Sequence, residues 1–150
     1  MRGEAAFAWM TRLKAMEREY NTTRMGMDRF HQQAAADPGI LGGDLRPRDI
    51  LAVLDRLEGT YLVRLFSEFE TALRHFLRFM KLRQPNSTET LVDKVRDRVG
   101  IPHEFAADVH MVRDYRNTLV HDVERSAEPV TVRDATRACS TFLSWLQRSW

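Results

Sequence analysis

The 150-residue chain reads as all-α, a helical bundle of about five helices with long first and second members. Three observations predict this. Apolar residues recur at steps of three and four along most of the chain, the repeat of helices that bury one stripe. The 7 Gly and 5 Pro fall mostly between these periodic segments, where they act as stops rather than interruptions. No strand-like alternation of useful length occurs, and no internal repeat. The length suits one domain over residues 1–150, enough to bury a sizeable core.

The first helix shows the clearest period. Trp9, Leu13, Met16, Tyr20, Thr23, Met27, Phe30 and Ala34 alternate steps of four and three, a heptad seam that keeps one stripe facing a partner helix. The partner is either a neighbouring helix of the same core or the same helix of a second copy. Asp37-Pro38-Gly39 ends the segment, and Gly42-Gly43 continues the loop. Pro47 opens the second helix, since its missing N–H is not needed at the first helical position. Its stripe is Ile50, Leu54, Leu57, Tyr61, Leu65, Phe69, Leu73, Phe76 and Met80, running to about Gln84-Pro85. Gly59 falls inside, at a cost of about 1 kcal/mol relative to Ala; it marks a kink, a break or a close helix crossing.

Asn86 followed by Glu89 has capping-box form and starts a short third helix through Leu91, Val95 and Val99, stopped by Gly100. Pro102 opens the fourth, with Phe105, Val109, Val112, Tyr115, Leu119 and Val123 on its apolar side. Ser126 to Pro129 reads as a loop. Thr131 with Asp134 starts the fifth helix, whose core side is Ala135, Cys139, Phe142, Leu146 and Trp150.

Composition narrows the function classes. Hydrophobic residues make up 43% and charged residues 29%, the balance of a globular rather than a disordered chain. Cys139 is the single cysteine, so neither an internal disulfide nor a cysteine-rich zinc site can form, and a reducing, cytoplasmic setting is expected. The charged residues Arg2, Glu4, Arg12, Lys14, Glu17, Arg18 and Glu19 interrupt any signal-peptide core. No apolar run approaches the ~20 residues of a membrane span. The net charge is +2, and 20 of the 23 basic residues are Arg, the side chain best shaped for bidentate phosphate contacts. Neither a metal nor another cofactor is expected, because no His/Cys/Asp cluster has ligand spacing and no glycine-rich phosphate loop is present.

The fourth helix carries the chemistry-bearing residues. Arg113, Asn117 and His121 recur every four residues and form one row, flanked by Arg116. Arg116-Asn117-Thr118-Leu119-Val120-His121 reads as R-N-x-x-x-H. Other Arg–His pairs of similar spacing lack this context. Arg96 and Arg98 are separated from His103 by Gly100 and Pro102, which no helix bridges, and Arg24, paired with His31, is followed by Met25.

This hexad resembles the signature of the HEPN family of all-helical domains, where it lies in a late helix that one further helix commonly follows. The motif covers six residues; the matching helix order covers most of the chain. The resemblance implies a metal-independent endoribonuclease, a toxin or antiviral defence effector under an antitoxin or other regulatory protein. It also implies a homodimer in which two motifs line one cleft on an RNA substrate. Carried over residue by residue, Arg116 stabilises transition-state charge, His121 is the general acid or base, and Asn117 orients the imidazole or the phosphate. Arg113 is a candidate RNA contact. Glu70 is a supporting candidate, expected to meet Arg113 or Arg116 across the bundle; Arg64, Arg74 and His75 are further cleft candidates. Where some members extend the signature to R-x-x-x-x-H-x-Y, a tyrosine modified by a nucleotidyltransferase antitoxin, this chain has Val123. The competing readings are a non-catalytic helical homodimer that binds a partner protein or nucleic acid, and an accessory domain that binds nucleotides through the same polar face.

Overall fold

The computed structural model describes residues 3–121 and 127–150. Five α-helices follow in chain order: α1 (Glu4–Ala36), α2 (Pro47–Phe79), α3 (Thr88–Val99), α4 (His103–Val120) and α5 (Val132–Ser144). Short 3-10 turns follow α1 (Pro38–Ile40) and α5 (Trp145–Arg148). No strand occurs among the described residues.

The two long helices, 33 residues each, run about 50 Å at 1.5 Å per residue and pair as an antiparallel hairpin. Successive cross-links fix its register. Trp9 meets His75 with ring centroids 5.4 Å apart, Glu19 bonds Arg64 at 2.9 Å, Tyr20 packs on Tyr61 at 5.7 Å, and Arg24 lies 4.0 Å from Glu58. The heptad seam of α1 therefore faces α2 of the same chain. Leu13, Met16, Tyr20 and Ala34 are buried, and Trp9, Thr23, Met27 and Phe30 half-buried.

The shorter helices pack against one stretch of this hairpin. α5 contributes Val132, Ala135, Cys139, Phe142 and Leu143 to the core. Phe142 stands edge-on to Phe69 at 5.7 Å, and Trp150 does the same to Phe76, the geometry that aromatic quadrupoles favour. The five core positions expected on the last helix and its continuation are all buried. At the start of α5, Thr131 Oγ1 accepts from Asp134 N–H at 3.0 Å, and the Val132 N–H donates to Glu58 Oε1 at 3.0 Å. A carboxylate from α2 thus satisfies a helix-start donor that has no partner within its own helix. α2 passes through Gly59 unbroken. A Cβ at that position would lie 3.4 Å from Leu119 Cδ2, so the glycine marks a close crossing of α2 and α4.

Two boundaries differ from the sequence reading. α2 ends at Phe79, not near Gln84. Lys81 adopts φ 55°, and the Leu82 N–H closes onto Leu77 O at 2.8 Å, a helix-ending turn normally built on glycine. α3 is capped by Ser87, whose Oγ accepts from Thr90 N–H at 3.1 Å, rather than by Asn86. Gly100 stops α3 with φ 77°, as expected. Val123, expected on the apolar side of α4, and Ser126, expected to open the following loop, lie outside the described residues.

Candidate functional site

Pro102 sets the entry to α4, and Ala106, Val109 and Val112 turn inward. Arg113, seven residues after Ala106, falls on that same face, and Asn117 and His121 each step about 40° further round the helix. The structure does not join the row into one cluster. Arg113 has a side chain only 14% exposed and turns toward α3. It donates to His110 Nδ1 at 3.0 Å and to Asp114 Oδ1 at 2.7 Å, and lies 3.4 Å from Glu89 Oε2. The guanidinium expected to contact RNA thus has partners within the chain at each of its three nitrogens.

Arg116 and Asn117 are both half-buried and bond each other, Arg116 Nη1 donating to Asn117 Oδ1 at 3.1 Å. The Asn117 amide is therefore turned to Arg116, not to His121. Arg116 Nε is buried without a hydrogen-bond partner among the described residues, an uncommon state for a charged donor. His121 ends the helix. Its N–H still closes the last turn onto Asn117 O at 2.9 Å, but its backbone is extended, φ −115° and ψ 133°. Its side chain is exposed and has no partner among the described residues. The exposed Leu119 and Val120 stand directly beside it.

Glu70 does not reach α4. It bonds Arg74 one turn on at 2.8 Å, and Arg74 also donates to Pro85 O at 2.9 Å, so the pair holds the turn after α2. The registry of α2 puts this face toward the α2–α3 connection. Arg64 is paired with Glu19, and His75 with Trp9; neither is gathered with the motif. Cys139 is fully buried, and burial pushes its thiol well above the ordinary range, the condition of an inert structural cysteine.

Sequence reasoning missed the polar network that joins α3 to α4. Asp93 Oδ1 accepts from Arg96 Nη1 at 3.0 Å and stands 3.0 Å from His110 Nε2. Since arginine can only donate, His110 Nδ1 must be the acceptor from Arg113. The proton of the neutral ring then sits on Nε2 and is donated to Asp93. Both ring nitrogens are engaged, so this Asp–His pair is a strap between helices rather than a free proton-transfer group. The spacing of His110 and Arg113, one turn apart, was visible in sequence; the partner Asp93 on another helix was not. Among the described residues, no three His, Cys, Asp or Glu side chains come together as a metal site, and no helix is long and apolar enough to cross a membrane.

Comparison with known proteins finds no matching family model, no matching curated protein and no matching solved structure.

Proposed function

We propose that this chain is a HEPN-like homodimeric endoribonuclease that cleaves RNA in the cytoplasm by attack of a 2′-OH on the adjacent phosphate. The observation that carries the reading is the end of α4. An exposed imidazole at His121, without a partner among the described residues, follows, one turn on, a half-buried Arg116–Asn117 pair. His121 has the chemistry to take the 2′-OH proton or to return one to the departing 5′-oxygen. The 2′-oxygen bonds to phosphorus as the P–O5′ bond breaks, leaving a 2′,3′-cyclic phosphate and a 5′-hydroxyl. Arg116 meets the charge that builds on the non-bridging oxygens. One copy provides one such histidine, so a second copy supplies the other proton role. The exposed Leu119 and Val120 beside the motif are the surface that dimer would cover.

A second reading, a non-catalytic dimer that binds a partner, is favoured by Arg113, whose guanidinium engages His110 and Asp114 on α4 itself and Glu89 on α3 instead of an open cleft. The two readings separate in one experiment. Wild-type protein and His121→Ala are compared on a fluorescent single-stranded RNA in EDTA, with matched circular dichroism. The nuclease reading expects cleavage by the wild type and a loss of about 10²–10⁴-fold in the folded variant. Silence from both, or equal cutting by both, removes His121 as catalyst and leaves the binding reading.

A further inference from the structure

A groove beside α4 is not used by the nuclease reading. It lies between α4 and α5, has a volume of about 460 Å³, and has Phe105, Met111 and Val130 among its apolar walls. That size falls in the range of clefts that take ligands or anchoring side chains. Met111 is 50% exposed, and the apolar surface runs on to Trp145, 37% exposed, whose ring lies 5.8 Å from that of Phe105. Three carboxylates rim it: Asp108, Glu128 and Asp134. Asp134 is neutralised by Arg137 at 2.9 Å. Asp108 and Glu128 engage no cation among the described residues.

We propose that this groove docks a basic amphipathic helix of a partner protein. Charge complementarity selects the occupant. The chain as a whole is basic, with net charge +2 and pI 9.0, yet among the described residues this groove carries two carboxylates without a cationic partner beside an apolar floor. Phosphate-bearing ligands are repelled from it. Asp108 and Asn117, nine residues apart, lie about 180° from each other round the helix at 100° per residue, whereas Arg116 lies about 80° from Asp108. A furrow between two helices admits a third by side-chain interdigitation, and apolar anchors flanked by Lys or Arg match a floor flanked by Asp and Glu. The continuation of apolar surface onto Trp145 makes the contact longer than a small organic cation needs.

The test pans a phage-displayed library of random peptides against the full chain and, in parallel, against Asp108→Lys/Glu128→Lys with matched circular dichroism. The proposal expects the wild type alone to enrich peptides with Lys or Arg beside Leu or Phe at helical spacing. A labelled peptide from that set should shift Trp145 fluorescence, bind more weakly as salt is raised, and lose about tenfold in affinity to the double variant. Binding should be unchanged in His121→Ala, so failure here is independent of the nuclease reading. Enrichment of acidic or uncharged peptides, no enrichment over the double variant, or equal binding to it would overturn the proposal. So would loss of a homodimer in the double variant by light scattering, since the occupant would then be a second copy.

Discussion

Gly59→Ala tests how α2 carries the end of α4. The residue sits inside a continuous helix, where Gly is about 0.8–1.0 kcal/mol less favourable than Ala. The added methyl would meet Leu119 Cδ2 at 3.4 Å and Cδ1 at 3.5 Å, with no backbone atom of another element within 4 Å. These are ordinary van der Waals distances to the flexible end of a side chain that is 41% exposed and free to yield. The gain in helix propensity is then kept almost whole, and the substitution stabilises by about 1 kcal/mol. For a chain of this size that raises Tm by roughly 2–4 °C. Urea unfolding followed by far-ultraviolet circular dichroism measures it, with the slope of the transition expected to stay constant. Gly59→Leu has no such room: it must displace Leu119 and with it the turn that ends at His121. On the proposed function, Ala leaves RNA cleavage unchanged and Leu reduces it. A lower midpoint for Gly59→Ala would refute the reasoning, showing that Leu119 is fixed and the crossing tighter than its distances imply.

Three further outcomes are expected. Phe69→Ala removes a ring with no solvent exposure packed on Phe66 and Phe142, and should cost about 3–5 kcal/mol, read as a Tm lowered by roughly 10 °C. Glu58→Ala takes the acceptor from the Val132 N–H and should cost about 1 kcal/mol, while Glu58→Gln, which keeps an acceptor oxygen, should cost less; equal losses would mean the charge and not the cap matters. The Glu19 carboxyl is held below its ordinary value of 4.5 by hydrogen bonds from Arg64 and then Tyr61. A depressed carboxyl pKa contributes stability that is present above about pH 4.5 and fades as pH falls through the folded-state value. Carbon-detected titration should show Glu19 ionising below its usual range, and Arg64→Ala should return it toward 4.5.

Most of the helix framework was legible because local chemistry and tertiary packing agree there. Pro47 begins α2, Asp37-Pro38 ends α1, and the stripe Ala135, Cys139, Phe142, Leu146 and Trp150 is the buried one. The end of α2 was not legible, since Lys81 adopts a left-handed conformation without the glycine that usually announces it. The polar site was legible as a list and illegible as a geometry. A row at four-residue spacing says which side chains share a face, but not what lies opposite them. Asp93 and Glu89 on α3 engage His110 and Arg113, and Arg74 takes up Glu70 within its own helix. Those choices depend on partners distant in sequence.

The unequal lengths of the helices have a dynamic consequence. The core cluster holds the inner part of the α1–α2 hairpin, from Leu62 to Leu77 on α2, between the three shorter helices. Farther out, the same seam is covered on one side only: Thr23, Met27, Phe30, Leu54 and Leu57 are half-buried, and only Ala34 and Ile50 close the far end. Local opening costs little where few apolar contacts must be broken. The two long helices should therefore not exchange amide protons as units. Protection should fall along each of them, from slow exchange opposite α5 to fast exchange at the far tip, so that one unbroken helix behaves as two segments of different lifetime.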